Sequence, residues 1–179
     1  SRTTRTTSTS ATTTIEADST GEMDHFELKK LLQKMDNWEF EHFVADLWDV
    51  QGWETEVEQQ SSDAGVDIRA TKSAPYSQKQ LIQAKRYSDS NKVGGPDIQQ
   101  YASLKQQERG VDAAVIVTTS SFTKSARKRA EELNVKTVDG DDLVSLIERF
   151  DAFDVVDNYV ELAPKSVEET THRSQDAGE

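Results

Sequence analysis

The most constraining segment is Ala113-Ala114-Val115-Ile116-Val117, an unbroken apolar run between Asp112 and Thr118. A bilayer needs about 20 apolar residues, so this run cannot cross one, and the chain reads as soluble with no membrane partner. A strand apolar on both faces is covered on both faces, as a parallel strand is between two helical layers. The flanking segments fit that demand. Leu28, Leu31, Leu32 and Met35, then Phe40, Phe43, Val44, Leu47 and Trp48, recur at helical spacing and predict two helices, the second ending near Gly52. Trp53–Glu58 alternates as a strand. Val66–Thr71 and Gln80–Arg86 are β-rich runs joined by a Ser/Pro turn. Gly95-Pro96-Asp97 opens a helix to about Glu108. Thr123 is an N-cap for a basic helix to about Leu133. Val135–Val138 is a short strand, and Asp139–Phe150 a last helix. A hairpin feeding β-α-β units makes an α/β sandwich with a mixed sheet.

Residues 1–22 are mostly Ser, Thr and Ala, and 161–179 are equally poor in apolar anchors. Such segments bury too little surface to offset their ordering entropy, so both are expected to be disordered tails around a folded unit of 23–160. Cysteine is absent, which excludes disulfides, a thiol nucleophile and Cys-ligated metals. The start shows no leader pattern, so the expected location is cytoplasmic. Ser1 in place of Met leaves room for an upstream region.

A net charge of −12 taken alone argues against a nucleic-acid protein, but its distribution argues the other way. Residues 1–61 carry 5 basic and 13 acidic side chains, 62–130 carry 12 and 6, and 131–179 carry 4 and 14. A basic middle between acidic ends is a local electrostatic footprint. The acidic, Thr-rich remainder suits a halophilic source.

The hairpin carries the chemistry. Pairing symmetrical about Tyr76 sets Asp67 opposite Lys85 and Arg69 opposite Gln83. Opposed residues share a sheet face, so Asp67, Gln83 and Lys85 converge while Val66, Ile68, Ile82 and Ala84 pack on the other face. A carboxylate, an amide oxygen and the Ala84 backbone carbonyl are hard ligands suited to Mg²⁺, with Mn²⁺ as a substitute. The Lys85 ammonium suits a water or a charged phosphate. The same residues also fit a plain Asp–Lys cross-strand ion pair.

The strings Phe40-Glu41, Asp63-Ala64-Gly65-Val66-Asp67-Ile68, Gln83-Ala84-Lys85-Arg86-Tyr87 and Thr118-Thr119-Ser120-Ser121-Phe122-Thr123 resemble Mrr-type restriction endonucleases, a branch of the PD-(D/E)xK nucleases. The resemblance covers about residues 36–148. It implies a three-layer sandwich, a mixed central sheet flanked by helices, and Mg²⁺-dependent cleavage of double-stranded DNA in restriction of foreign or modified DNA. By position, Asp67 matches the metal-binding Asp and Lys85 the catalytic Lys. Gln83 stands where most of the superfamily has a carboxylate, and Glu41 matches an acidic helix residue that offsets the missing charge, directly or through water. Asp63 belongs to the motif, though it also suits a turn cap. Relatives usually carry a further DNA-recognition domain. A second copy of the chain is another expected partner.

Arg86, Lys92, Gln99, Thr123, Lys124, Arg127 and Lys128 are candidate DNA contacts, with Arg129 and Tyr101 nearby. Phosphate contacts position a duplex without reading it. Two rival functions share the fold: a DNA-binding module without cleavage, and a repair or junction-resolving nuclease. Other chemistries fail. His25, His42 and His172 lack zinc-ligand spacing. There is no GxSxG elbow, no GK[ST] follows Gly94-Gly95, and Asp139-Gly140-Asp141-Asp142 falls short of a calcium loop.

Overall fold

The computed structural model describes residues 24–59 and 65–160, so both predicted tails and Asp63 lie outside the described residues. Its elements are α1 (His25–Lys34), α2 (Asn37–Val50), β1 (Glu54–Val57), β2 (Ile68–Lys72), β3 (Gln78–Lys85), α3 (Gly95–Gln107), β4 (Ala113–Thr118), α4 (Lys124–Leu133), β5 (Val135–Val138), α5 (Gly140–Arg149) and α6 (Phe153–Asp157). The predicted order holds, with α6 added. That helix has five residues, too few to show a period.

The five strands lie in the order β1-β2-β3-β4-β5. β1, β2 and β3 are antiparallel, and β3, β4 and β5 parallel, so the sheet is mixed. Strand alternation sends β4 both ways. Val115 and Val117 join Ile68, Ala70 and Ile82 beneath α1, α2, α5 and α6. Ala114 and Ile116 join Leu81 and Val135 beneath α3 and α4. These are the three layers that the apolar run of β4 demanded. No helix among the described residues is long and apolar enough to cross a membrane.

Caps fix the helix ends. Asp36 and Glu39 close a reciprocal capping box on α2, each side chain accepting the other's backbone N–H at 2.7 and 2.9 Å. Thr123 caps α4 as expected, its Oγ1 accepting from Ala126 N at 3.1 Å.

The hairpin register differs from the expected one. Ile68 pairs with Ile82, Arg69 with Leu81 and Lys72 with Gln78, so the ladder centres on Pro75 rather than Tyr76. Asp67 therefore does not oppose Lys85, nor Arg69 Gln83. Moving the centre by one residue moves each partner by two, which preserves the face. Asp67, Gln83 and Lys85 still share a side, and Ile68, Ile82 and Ala84 pack on the other. Val66 departs from the expectation: it precedes β2 and packs with Leu81 under α3.

Candidate active site

The site lies at one end of the strands, where β1 ends, β2 begins and β3 ends. The chain enters β2 through Gly65, whose φ of +86° favours glycine. A Cβ there would lie 2.3 Å from Gln83 Nε2, so the small residue also lets the backbone reach the Gln83 side chain. Asp67 follows, only 7% exposed. Its N–H donates to Ile82 O at 2.9 Å, and its Oδ2 accepts from Ala84 N at 2.8 Å. Asp67 thus clasps β3 on either side of Gln83. The β2 ladder has stopped at Ile68. A residue's N–H and C=O point the same way in a strand, so the Ala84 carbonyl faces the Asp67 side.

Burial pushes the Asp67 carboxyl above its ordinary value, against the opposing pull of the Ala84 N–H and the Lys85 charge. Glu41, on α2, approaches from the other layer. Its carboxyl is also raised, first by burial and then by the negative charge of Asp67. Two carboxylates held this way favour a cation between them.

Lys85 Nζ sits 3.4 Å from the Tyr87 hydroxyl and 3.7 Å from Asp97 Oδ1. Sequence reasoning missed Asp97. It stands in the first turn of α3, where its other oxygen accepts from Gly94 N at 3.3 Å. The Gly-Pro-Asp string signalled the helix start, but not that this Asp faces Lys85. The Thr118-Thr119 string latches β3 in place: Thr118 Oγ1 donates to Lys85 O at 2.7 Å, and Thr119 Oγ1 to Tyr87 O at 2.7 Å.

The structure separates the candidate DNA contacts. Gln99 and Lys128 line one open groove with Gly95, Ser125 and Arg129, between α3 and α4. Lys92 and Lys124 are exposed. Arg127 pairs instead with Asp139 at 2.9 Å, and Arg86 donates to the Gln33 carbonyl at 3.2 Å. Thr123 spends its hydroxyl on the α4 cap. Tyr101 is 1% exposed, which removes it from any DNA surface; burial, then the Asp67 charge, pushes its phenol upward.

A mixed sheet between helical layers, with Asp67, Gln83 and Lys85 gathered at one end of its strands, can be set against known proteins. The family model for Mrr catalytic domains, described as restriction endonuclease, matches residues 32–147. The chain belongs to the Mrr-type restriction endonuclease family. Among solved structures it is similar to AspBHI, a DNA modification-dependent restriction endonuclease, with TM-score 0.59 and 18% identity over 75% of this chain and 39% of that one. MspJI restriction endonuclease, solved in complex with a 27-mer oligonucleotide, gives TM-score 0.53 and 22% identity over 75% and 35%. A protein of unknown function, AF1548, gives 0.56 and 18% over 64% and 66%. The chain thus matches little more than a third of the length of the two restriction enzymes. Among curated proteins none matches.

The Mrr-type donor set fits a hard divalent cation. Asp67, Glu41, the Gln83 amide and the Ala84 carbonyl offer only oxygen, as Mg²⁺ requires. Among the described residues no three His, Cys, Asp or Glu side chains are grouped to hold a metal.

Proposed function

We propose that the chain is a divalent-metal-dependent endonuclease that hydrolyses phosphodiester bonds in double-stranded DNA, in restriction of foreign or modified DNA. The observation that carries the reading is the clasp of buried Asp67 on Ala84, with Glu41 electrostatically opposed to it and Lys85 on the same sheet face. Asp67, Gln83 and the Ala84 carbonyl would hold Mg²⁺ or Mn²⁺, with Glu41 adding the second negative charge. The bound ion supplies Lewis acidity and an acidified water. Lys85 places its ammonium against a non-bridging phosphate oxygen and orients water toward phosphorus. Asp97 and Tyr87 hold that ammonium until substrate arrives. The groove with Gln99 and Lys128 positions the duplex through its phosphates.

An inactive DNA-binding module would have little reason to keep a buried Asp67 and a half-buried Lys85 together at one end of the strands. The test is plasmid DNA, methylated and unmethylated, incubated with Mg²⁺ or with EDTA. Cleavage that needs the ion and is lost in Lys85→Ala supports the reading; sustained cleavage by pure protein in EDTA overturns the metal mechanism.

A further inference from the structure

Trp38 is 62% exposed, yet it is not loose. Its indole stacks on the His42 ring, with centroids 3.9 Å apart and planes 28° from parallel. His42 Nδ1 donates to the Trp38 carbonyl at 2.8 Å, which pins the second ring. A large flat surface is therefore held rigid in water, at a hydration cost that the fold alone does not require.

Its position is specific. Trp38, Glu41 and His42 stand at i, i+3 and i+4, one face of α2. With Val57, Glu58 and Gln59 they line an open cavity of about 300 Å³, at the small end of pockets that take organic ligands. The Glu58 carboxylate is engaged by Arg69. Beside the carboxylates of Glu41 and the Arg69-paired Glu58, the lining is two planar rings, one branched aliphatic side chain and a neutral amide that both donates and accepts. That lining suits a planar heteroaromatic. Glu41 makes it unsuitable for a bare phosphate.

We propose that the Trp38–His42 stack is a nucleobase platform, which receives one unpaired base of the strand whose phosphate lies at Asp67 and Lys85. The inference rests on the nuclease reading and adds a substrate class: strands frayed, gapped or opened beside the cut. Base-on-aromatic stacking tolerates any base, so the platform selects for strand opening rather than for sequence.

The test uses the full chain carrying Lys85→Ala, so that DNA binds uncut, with Mg²⁺ present. Anisotropy of a labelled short oligothymidylate is compared with that of a blunt duplex. Adding Trp38→Ala is expected to weaken the single strand roughly tenfold, and the duplex far less. Trp38→Phe should recover most of the loss. Tyr76→Ala, an equally exposed aromatic in the hairpin turn, should change nothing. Unaltered single-strand binding in Trp38→Ala overturns the platform, as does an equal loss for both DNAs. So does a change in sedimentation with DNA binding untouched, which would make Trp38 a contact between copies. If the wild-type chain neither binds nor cuts any DNA, the nuclease reading falls as well. If it cuts duplex and Trp38→Ala is indistinguishable, the platform alone falls.

Discussion

Lys85 Nζ and Asp97 Oδ1 stand 3.7 Å apart, joining the end of β3 to the first turn of α3. The ammonium is thereby aimed before any phosphate is present. Lys85→Ala should lower the cleavage rate by roughly 10²–10³-fold, the cost of one aimed charge, with the circular dichroism of the wild type. Asp97→Asn should cost on the order of tenfold, since it orients rather than acts. Equal rates for Asp97→Asn and wild type would show that Tyr87 alone positions the lysine.

Asp67 should oppose function to stability. Its folded-state pKa is raised by burial, so its stabilising contribution is whole below the ordinary carboxylate value. That contribution falls as pH rises through the raised value. Asp67→Asn keeps an acceptor for Ala84 N and removes the buried charge. It should abolish cleavage while raising stability by on the order of 1 kcal/mol at neutral pH. The gain should vanish on acidification, where the wild-type carboxyl is itself neutral. Denaturant melts at several pH values check both the sign and the window.

Glu41 and Gln83 should be coupled. Glu41→Gln should raise the Mg²⁺ concentration for half-maximal cleavage, because one of the two carboxylates that repel each other there is lost. Gln83→Glu should lower that concentration and partly rescue Glu41→Gln. Strictly independent effects in the double variant would remove Glu41 from the metal's surroundings.

Lys128 and Arg127, neighbours in sequence, should behave differently. Lys128 lines the groove with Gln99, whereas Arg127 is tied to the α5 cap residue Asp139. Lys128→Gln should flatten the salt dependence of DNA binding by up to about 0.9 log units. Arg127→Gln should leave the slope alone and lower the melting temperature slightly. Equal slopes across both variants and wild type would show that the groove does not carry the duplex.

Gly65→Ala tests the clasp. The new Cβ would displace the Gln83 amide and strain a positive φ, at roughly 1–2 kcal/mol. Gln83 is a flexible side chain that can swing away, so metal dependence should suffer more than stability. Mg²⁺ titration alongside thermal melting separates the two.

The strands, the three layers and the shared face of Asp67, Gln83 and Lys85 were legible because period-2 patterns survive a two-residue register error. The register itself was not, since the Ser73–Ser77 turn carries no residue pair that dictates its centre. Glu41 came from the resemblance; nothing in the spacing of α2 says that its carboxyl meets Asp67. Lys85's neighbour Asp97, and the arginines that turn to Gln33 and Asp139, depend on how α3, α1 and α5 dock, and local sequence does not encode docking. Nothing in the sequence singles out Trp38, because exposure is a property of the packed molecule.

β3 belongs to two halves of the sheet at once, antiparallel on the β2 side and parallel on the β4 side. Asp67 reaches Ala84 through a short hairpin, but the Lys85 carbonyl is latched by Thr118, 33 residues further along. The two ends of the site therefore answer to different parts of the chain: the Asp67 clasp closes within the hairpin, while the seat of Lys85 needs a strand supplied much later in the sequence.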